Sequence, residues 1–322
     1  MVRETEMVVL ADIQSARERL RDLGMFSPMV RLEGAPVGRT AMLKLENLQP
    51  VGSFKIRPIG SAVLARSPAD LSRGIYTSSS GNSAIGVAWM ARRLGIPATA
   101  VVPTDAPEEK LERLRRLGAR IDMRPKPEWW QAIQNGSLPG QEGTYIDAVR
   151  DPAALAGDAT LGMEILEGAP ATQAILVPFG GGGLACGIAS AVRALNSGAR
   201  VIACEIDSAA PLAAAMRSGR PVKIDYDAGF VSGVGYGEVL PEMWPLVRSL
   251  IDGVITVSLA EIAAAIRLMA ESHHVIAEGA GAVAVAAALS GRCEQANVCA
   301  VVSGGNLPPK HLAAILDGQV PA

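Results

Sequence analysis

The sequence predicts an α/β protein whose sheets are mostly parallel. The chain has 322 residues, which suits two domains at about 150 residues per domain. Hydrophobic residues make up 49% of the chain and charged residues 19%, a composition that excludes a disordered protein and a coiled coil. Short runs rich in Val and Ile alternate with helical stretches, and this alternation is typical of parallel strands joined by helices.

The first half of the chain opens with an amphipathic helix. Asp12 is of a residue type that caps helices, and an apolar face follows it, formed by Ile13, Ala16, Leu20 and Leu23. Strands are then predicted at 41–46, 74–78 and 98–102, with helices at 84–94 and 107–117. Residues 124–143 interrupt the pattern because they are rich in Pro, Gly, Gln and Glu, and we expect an irregular surface segment there.

The second half contains three further runs that are typical of buried strands, at 175–178, 201–206 and 298–302. A helix is predicted after the first of these runs, ending near residue 195. The four cysteines show no Cys-x-x-Cys spacing, and three of them lie in apolar stretches. We therefore expect reduced thiols packed in the core.

The charge and hydropathy of the chain exclude two classes of partner. Lys and Arg total 30, Asp and Glu total 32, and the net charge of −2 offers no basic field to nucleic acid. The basic stretch 113–120 alternates with Leu, which is typical of a solvated helix face. The longest apolar run, 280–289, is shorter than the about 20 residues that a membrane helix needs. Acidic residues near the N-terminus do not suit a signal peptide, so we expect a cytoplasmic protein without a membrane partner.

Four consecutive glycines follow a predicted strand and open a predicted helix: Gly180, Gly181, Gly182 and Gly183. Glycine loses more chain entropy on folding than any other residue, so packing alone is a weak reason for four of them. Bare backbone N–H groups at a helix N-terminus instead suit a phosphate. A P-loop and a dinucleotide fingerprint are both excluded by the residues and spacing that follow.

Lys55 follows Gly52, Ser53 and Phe54 and precedes the apolar Ile56 at the predicted start of a helix. A single lysine is usually a solvated surface charge. Partial burial near a helix N-terminus would instead favour the neutral amine. Because Schiff-base chemistry needs a neutral amine, Lys55 is a candidate nucleophile.

Two further turns of small residues end predicted strands. The first turn consists of Ser79, Ser80, Gly81, Asn82 and Ser83. It can serve as an N-cap, or it can bind a carboxylate through its hydroxyl and N–H groups. The second turn consists of Ser303, Gly304, Gly305 and Asn306. Because parallel strands end at one edge of a sheet, several such turns predict a ligand site at that edge.

These segments, in this order and spacing, resemble the fold-type II pyridoxal-phosphate enzymes, and within that group the serine/threonine dehydratase and serine racemase family. The resemblance is carried by Ser53-Phe54-Lys55, Ser79-Ser80-Gly81-Asn82, Gly180 to Gly183 and Ser303-Gly304-Gly305-Asn306, with support from residues 157–166. It implies two open, mostly parallel sheets flanked by helices. Pyridoxal 5'-phosphate would occupy the cleft between a large domain (residues 1–65 and 149–322) and a small domain (residues 66–148).

The resemblance also implies roles for individual residues. Lys55 would be catalytic, attaching the cofactor as a Schiff base and later moving the Cα proton. Phe54 would flank the cofactor ring, Asn82 would bind its 3-hydroxyl group, and Ser303 would meet its pyridine nitrogen. The phosphate would be held by Gly180, Gly181, Gly182 and Gly183. The substrate would be bound by Ser79, Ser80, Gly81, Asn82 and Ser83.

The sequence departs from the family pattern near the substrate side chain. Val149 stands where relatives carry a Phe that helps close the pocket, so we expect Val149 to border a wider pocket that admits a bulky substrate such as phenylserine. Alternatively, Trp129 or Trp130 refills that space and threonine stays the substrate. Glu205 matches one acid of a cation site in relatives, but Pro211 stands where the second acid would be, so no metal is predicted.

The resemblance leaves three functions open. The first is a dehydratase, or ammonia-lyase, that removes water from a 3-hydroxy amino acid and gives a 2-oxo acid and ammonia. The alternative is a serine-type racemase, because Ser80 stands where racemase relatives have a catalytic serine. The third is a non-catalytic pyridoxal-phosphate protein. The family also suggests a homodimer that acts on a small-molecule substrate in amino-acid catabolism.

Overall fold

Two β-sheets organise the computed structural model, which describes residues 7–23 and 26–321. The strands are β1 Met29–Arg31, β2 Thr40–Leu45, β3 Ile75–Ser78, β4 Ala98–Pro103, β5 Arg120–Arg124, β6 Thr144–Tyr145, β7 Ala174–Pro178, β8 Arg200–Ile206, β9 Gly253–Val257 and β10 Asn297–Val302. The α-helices are α1 Leu10–Leu20, α2 Ile56–Leu64, α3 Pro68–Leu71, α4 Asn82–Leu94, α5 Glu108–Arg116, α6 Lys126–Asn135, α7 Pro152–Gly168, α8 Gly183–Ala194, α9 Pro211–Ser218, α10 Trp244–Leu250, α11 Leu259–His273, α12 Gly279–Leu289 and α13 Pro309–Leu316.

The larger sheet has the strand order β1-β2-β10-β7-β8-β9. Its neighbouring strands are parallel except for β1 and β2, which are antiparallel. Val302 lies opposite Leu45, and Pro178 lies opposite Cys204. The carboxyl ends of β2, β10, β7 and β8 therefore form one edge, which we call the carboxyl edge.

The smaller sheet has the order β5-β4-β3-β6, and all of its pairs are parallel. The predicted α/β fold with two mostly parallel sheets flanked by helices is confirmed. The larger sheet takes its strands from residues 29–45 and 174–302, and the smaller sheet from residues 75–145. α2 packs on α7, beside the larger sheet, and on α4, beside the smaller sheet, so these contacts do not divide the chain at residue 65. The domain boundaries at 65/66 and 148/149 therefore stay predictions.

Helices cover both faces of the larger sheet. One face buries an apolar core under α1, α7, α8 and α10, and the other does so under α11 and α12. Only Gly, Ala, Val and Leu occur in α12, and all but its last residue are buried. The apolar run at 280–289 is therefore a core helix. The helices that pack with the smaller sheet in a third core are α2, α4 and α5.

Within residues 7–23 and 26–321, no helix combines the length and the apolar composition that crossing a membrane requires. All four cysteines lie in the protein interior with free thiols.

Two predicted elements differ from the structure. The first helix begins at Leu10 instead of Asp12, and the Asp12 carboxylate accepts a hydrogen bond from the Val9 N–H at 3.2 Å. The segment predicted as irregular contains α6. Pro125 precedes this helix and Pro127 lies in its first turn, where a missing N–H costs no intrahelical hydrogen bond. A stretch rich in proline can therefore open a helix, and the prediction of an irregular segment is wrong for residues 126–135.

Arg113 corrects the interpretation of the basic stretch 113–120 as a solvated face. Its side chain is half-buried, and its guanidinium donates to the side chain of Asn306 and to the carbonyl oxygen of Val51. One arginine of this stretch therefore points toward the carboxyl edge of the larger sheet.

Candidate active site

Lys55 lies at the carboxyl edge, immediately before α2. A short antiparallel contact holds it there. The Phe54 N–H donates to the carbonyl oxygen of Ser303 at 2.9 Å, and the Gly305 N–H donates to the carbonyl oxygen of Gly52 at 2.9 Å. Because Ser303 directly follows β10, the lysine is attached to the end of a central strand. Two of the segments singled out in the sequence thus meet in space.

The side chain of Lys55 occupies a partly enclosed recess. Its Nζ lies 4.6 Å from the centroid of the Phe54 ring. Burial lowers the pKa of Lys55, and negative charge on the nearby carboxyl groups of Asp158 and Asp147 would oppose this shift only in part. A lowered pKa raises the fraction of neutral amine, the form that attacks a carbonyl carbon.

A buried ion cluster, formed by Arg57, Glu46, Glu164 and Lys44, fixes the backbone beside Lys55. The Arg57 guanidinium donates to both carboxylate oxygens of Glu46, at 2.8 and 2.9 Å. It also donates to both oxygens of Glu164, at 2.7 and 2.8 Å, and Lys44 donates to Glu164 at 2.6 Å. Because bidentate pairs fix orientation as well as distance, the start of α2 is held rigidly.

The glycine loop, which consists of Gly180, Gly181, Gly182 and Gly183, joins β7 to α8 at the carboxyl edge. Within the described residues, none of its four N–H groups has a backbone acceptor. Gly182 has a φ of +92°, which favours glycine. A Cβ on Gly180 would collide with the carbonyl oxygen of Gly233, and one on Gly181 would lie 3.1 Å from Val149. The loop therefore needs small residues and presents open donors at a helix N-terminus, as an anion site does.

The serine turn, which consists of Ser79, Ser80, Gly81, Asn82 and Ser83, lies at the N-terminus of α4. The Ser79 hydroxyl accepts a hydrogen bond from the Gly81 N–H at 3.1 Å. The hydroxyls of Ser80 and Ser83 have no hydrogen-bond partner in the part of the chain that the structure describes. A Cβ on Gly86 would lie 3.6 Å from the carbonyl oxygen of Lys55. The serine turn is thus about one helical turn away from the point where α4 meets Lys55.

An amide chain, formed by Glu278, Asn82, Asn306 and Arg113, connects the serine turn to the end of β10. The Asn82 Nδ2 donates to Glu278 at 2.6 Å, and its Oδ1 accepts from Asn306 at 2.6 Å. Arg113 of α5 donates to Asn306 in turn. One N–H of the Asn82 amide is left for another acceptor, since an amide nitrogen carries two hydrogens. The amide chain therefore links elements of both sheets at the site.

Glu278 is a residue of this site that the sequence analysis missed. It directly precedes α12, and its backbone N–H donates to the carbonyl oxygen of Gly304 at 3.0 Å. Burial raises the pKa of Glu278 to about 7, although the hydrogen bond from Asn82 acts in the opposite direction. No local motif marks this residue, because its position depends on how α12 packs against β10.

Ser303 and Ser53 place two buried hydroxyls near each other at the carboxyl edge. The Ser303 Oγ donates to the carbonyl oxygen of Ala280 at 3.3 Å. Ser53, which pairs with Gly304, has a buried Oγ without a hydrogen-bond partner among the described residues. Buried polar atoms are normally satisfied, so this orphaned hydroxyl indicates a ligand.

Val149 and Tyr236 flank the glycine loop. The Val149 side chain lies 3.1 Å from the position of a Cβ on Gly181, and the Tyr236 ring lies 3.2 Å from that of a Cβ on Gly180. The Trp130 ring packs on Tyr236, with centroids 6.3 Å apart and an angle of 33° between the rings. Tyr236 was missed by the sequence analysis because it lies in the irregular segment between α9 and α10, where no motif marks it.

Glu205 and His273 have structural partners. The Glu205 carboxylate accepts the N–H groups of Leu212 and Ala213 at 2.8 Å each and so caps α9. The His273 Nε2 accepts the N–H of Glu33 at 3.2 Å. Across residues 7–23 and 26–321 no group of three His, Cys, Asp or Glu residues could hold a metal ion. That Glu205 binds no metal stays a prediction.

The arrangement fits a cofactor that carries both an aldehyde and a phosphate. Lys55 offers an amine to the aldehyde, and the glycine loop offers open N–H donors to the phosphate. Asn82 and Ser303 offer polar groups to the substituents of a ring, and the orphaned hydroxyl of Ser53 lies beside them. The fold and the site together define the class of enzymes that use pyridoxal phosphate.

Comparisons with known proteins agree with this class. The family model described as pyridoxal-phosphate dependent enzyme matches residues 21–304, and the chain belongs to this family. Its cofactor is pyridoxal phosphate. An L-threonine ammonia-lyase of Thermotoga maritima is 33% identical over 321 residues, which cover 97% of this chain and 79% of that protein.

Two solved structures show the same fold. Maize serine racemase superimposes with a TM-score of 0.84 at 28% identity, covering 97% of this chain and 98% of that chain. The threonine deaminase of T.th. superimposes with a TM-score of 0.79 at 29% identity, covering 94% of this chain and 99% of that chain. The roles assigned to individual site residues stay predictions.

Proposed function

We propose that this chain is a dehydratase, or ammonia-lyase, of 3-hydroxy amino acids. The reaction removes water from the substrate and ends, after hydrolysis, in a 2-oxo acid and ammonia. The observation that carries the proposal is the position of Lys55. The residue before it, Phe54, donates its backbone N–H to Ser303 at the edge where the glycine loop opens α8. The similarity to an L-threonine ammonia-lyase over 97% of the chain supports it.

When bound, pyridoxal phosphate withdraws electrons from Cα of an amino acid and so eases the loss of the Cα proton and of a β-substituent. Lys55 takes the Cα proton, since its lowered pKa leaves a larger fraction of free amine. The glycine loop holds the phosphate through its N–H groups. The serine turn binds the substrate carboxylate through the N–H groups at the start of α4 and the free hydroxyls of Ser80 and Ser83.

Ser303 presents a neutral hydroxyl to the pyridine nitrogen. A carboxylate at this position would favour a protonated nitrogen, whereas a hydroxyl leaves the nitrogen neutral. A hydroxyl at residue 303 would therefore make the bound cofactor a weaker electron sink, which would favour prompt loss of the β-hydroxyl group as water.

We further propose that the pocket admits a bulky apolar β-substituent such as the phenyl ring of phenylserine. Val149 is only partly buried, and Tyr236 with Trp130 forms an aromatic wall on the other side of the glycine loop. Trp129 packs in a separate cluster with Tyr76, and its ring also contacts Trp130, with centroids 6.3 Å apart. Both tryptophans thus have other neighbours, which weighs against their refilling the space beside Val149. Burial of the phenyl ring there would gain ~25 cal/mol per Å².

The test is an assay of ammonia and 2-oxo acid release on phenylserine, threonine and serine. We expect release of both products, with kcat/KM highest for phenylserine. Threonine at parity or better contradicts the wide pocket and leaves the dehydratase intact. No ammonia from any 3-hydroxy amino acid contradicts the dehydratase itself.

A racemase is the second candidate, and Ser80 favours it. Its hydroxyl has no partner among the described residues, and racemisation needs a second proton carrier besides Lys55. The similarity to maize serine racemase, with a TM-score of 0.84, supports this candidate. Chiral analysis of the substrate left in the same assay decides: inversion at Cα without ammonia favours the racemase.

We also propose that the protein is a cytoplasmic homodimer. Four buried free thiols suit a reducing compartment. The dimer rests on the family resemblance. Size-exclusion chromatography with light scattering should give twice the mass of the chain, and a monomer would contradict this.

A further inference from the structure

Asp158 lies where three helices meet beneath the site. α7 crosses α2 at Gly157, where a Cβ would collide with the carbonyl oxygen of Arg57. α7 meets α8 at the next residue, because a Cβ on Gly187 would lie 2.5 Å from the Cβ of Asp158. Lys55 directly precedes α2, and the glycine loop directly precedes α8. Asp158 therefore lies at the junction of the two helices that begin in the site.

The carboxyl group of Asp158 is fully enclosed and unpartnered. Its exposure is 0%, and neither oxygen has a hydrogen-bond partner among the described residues. Two other carboxylates with 0% exposure are both satisfied, Glu46 by Arg57 and Glu205 by two backbone N–H groups. An ionised carboxylate without hydrogen bonds is strongly disfavoured in such a place, so the neutral acid is favoured. Packing alone gives no reason for an acid here.

Three charged groups act on the carboxyl group of Asp158, namely Lys55, Arg57 and Glu46. Burial raises the pKa of Asp158 well above its usual value. Lys55 exerts the largest opposing influence, Arg57 a smaller one, and Glu46 adds to the effect of burial. Cys186, on the α8 side, is a buried neutral thiol whose pKa is raised by burial.

Of the charged groups around Asp158, Lys55 is the one that can gain or lose its positive charge readily. Arg57 keeps its charge, because Glu46 and Glu164 both bind its guanidinium. Among charged neighbours, Asp158 also exerts the largest influence on Lys55, ahead of Asp147. Each of the two groups is thus the main charged neighbour of the other.

We propose that Asp158 is the proton partner of Lys55: its carboxyl group keeps a proton while the Lys55 Nζ is a neutral amine, and gives that proton up when Nζ, joined to an aldehyde carbon, becomes positively charged. This inference rests on the proposed role of Lys55 and does not depend on which amino acid the enzyme uses. Asp158 is a positioning residue in this scheme, since its carboxyl group is fully enclosed and acts through Lys55.

In this scheme the proton that the nitrogen gains is the proton that Asp158 loses. Condensation of the amine with an aldehyde forms a C=N bond and releases water. The nitrogen then binds one proton through its lone pair, and the Asp158 O–H bond breaks with its electron pair left on oxygen. The net charge of the enclosed region is the same before and after, so no uncompensated charge is buried at any stage.

The test compares Asp158→Asn with the parent and with Glu205→Gln, which removes an equally enclosed carboxyl group that Lys55 does not influence. The readout is the pH midpoint of the absorption change of the cofactor bound at Lys55. We expect this midpoint to fall by one pH unit or more in Asp158→Asn, because an amide cannot supply the compensating negative charge, and to stay unchanged in Glu205→Gln. An unchanged midpoint in Asp158→Asn overturns the proposal.

A second measurement uses the parent chain alone and covers the case that Asp158→Asn does not fold. The infrared difference spectrum on adding pyridoxal phosphate should show the loss of one buried carboxylic-acid C=O band. Persistence of that band overturns the proposal. Failure of the proposed site is distinguishable from failure of this proposal: a Lys55→Ala chain that still binds the cofactor covalently refutes the site itself, whereas an unchanged midpoint or a persisting band with Lys55 labelled refutes only the role of Asp158.

Discussion

The main-chain N–H of Phe54 donates to the carbonyl oxygen of Ser303 at 2.9 Å, although the two residues lie in opposite parts of the sequence. This bond attaches the residue before Lys55 to the end of β10, in the middle of the larger sheet. The direction of the lysine side chain is therefore set by the sheet and by the ion cluster around Arg57.

Replacing Lys55 with Ala should abolish covalent capture of the cofactor and leave the fold intact. The Lys55 Nζ lies 4.6 Å from the centroid of the Phe54 ring and forms no hydrogen bond or ion pair among the described residues, so its removal breaks no such bond. Borohydride reduction followed by peptide mapping checks the attachment, and thermal unfolding checks the fold. Lys310→Ala, an exposed lysine of α13, is the matched control and should keep the label. A label on another lysine of the parent would rule out Lys55.

Replacing Gly182 with Val should weaken pyridoxal-phosphate binding by several-fold, on the order of 1 kcal/mol or more. The backbone is the cause, because the φ of +92° disfavours a side chain. A Cβ would lie 3.3 Å from Val247 and 3.4 Å from the Phe179 ring, so the midpoint of thermal unfolding should fall as well. Fluorescence titration measures the affinity. Gly198→Ala, which adds a Cβ in open space, should match the parent. Parent-like affinity in Gly182→Val would move the phosphate site elsewhere.

Replacing Ser303 with Asp should slow elimination. The new carboxylate would favour a protonated ring nitrogen and strengthen the electron sink, so the β-hydroxyl group would leave less promptly. We expect a lower kcat and a new absorption band at longer wavelength, measured in the steady state. Ser303→Ala is the control, since it removes the hydroxyl without adding charge. Equal kcat and equal spectra in Ser303→Asp and the parent would show that residue 303 does not face the ring.

Replacing Val149 with Phe should narrow the substrate pocket. The larger ring would fill the space beside the glycine loop, so kcat/KM for phenylserine should fall at least tenfold while that for serine changes little. The measurement is a comparison of both substrates on both chains. Val37→Phe, at a fully exposed position, is the control for a surface substitution of the same kind. An equal loss for the two substrates would mean that Val149 does not contact the substrate side chain.

Replacing Glu278 with Gln should flatten the pH dependence of stability. Burial raises the folded-state pKa of Glu278 from 4.5 to about 7. Protonation therefore stabilises the fold below the unfolded-state pKa, and this stability is lost as the pH rises through about 7. The contribution is about 3 kcal/mol at most, and Gln keeps an acceptor for Asn82. Thermal unfolding between pH 5 and pH 8 should show a smaller loss for Glu278→Gln than for the parent, and parallel curves would contradict this.

The lysine, the glycine loop and the serine turn were predictable because each is marked locally. Small residues follow β3, β7 and β10, and the rule that parallel strands end at one edge predicts that turns within one sheet converge. The helix α6 was missed because local evidence of this kind can also mislead. Its prolines occupy positions where a helix tolerates them, so composition alone was misleading.

Glu278, Tyr236 and Asp158 could not be found in this way. The Glu278 carboxylate reaches Asn82 only because α12 packs against β10 while α4 packs against α2. Asp158 is enclosed only because Gly157 and Gly187 let three helices approach each other closely. These properties belong to contacts between distant segments, and a single sequence does not carry them in any local pattern.

The ion cluster around Arg57 has a consequence for protein engineering. It anchors the lysine through α2, α7 and the segment after β2, whereas Val149 and Tyr236 belong to two separate connecting segments that border the glycine loop. On the proposed function, the parts of the scaffold that hold the lysine and the parts that would contact the substrate side chain are separate and can be varied independently. A combinatorial library at positions 149 and 236 should yield catalysts for new amino acids while keeping the same reactive amine in place.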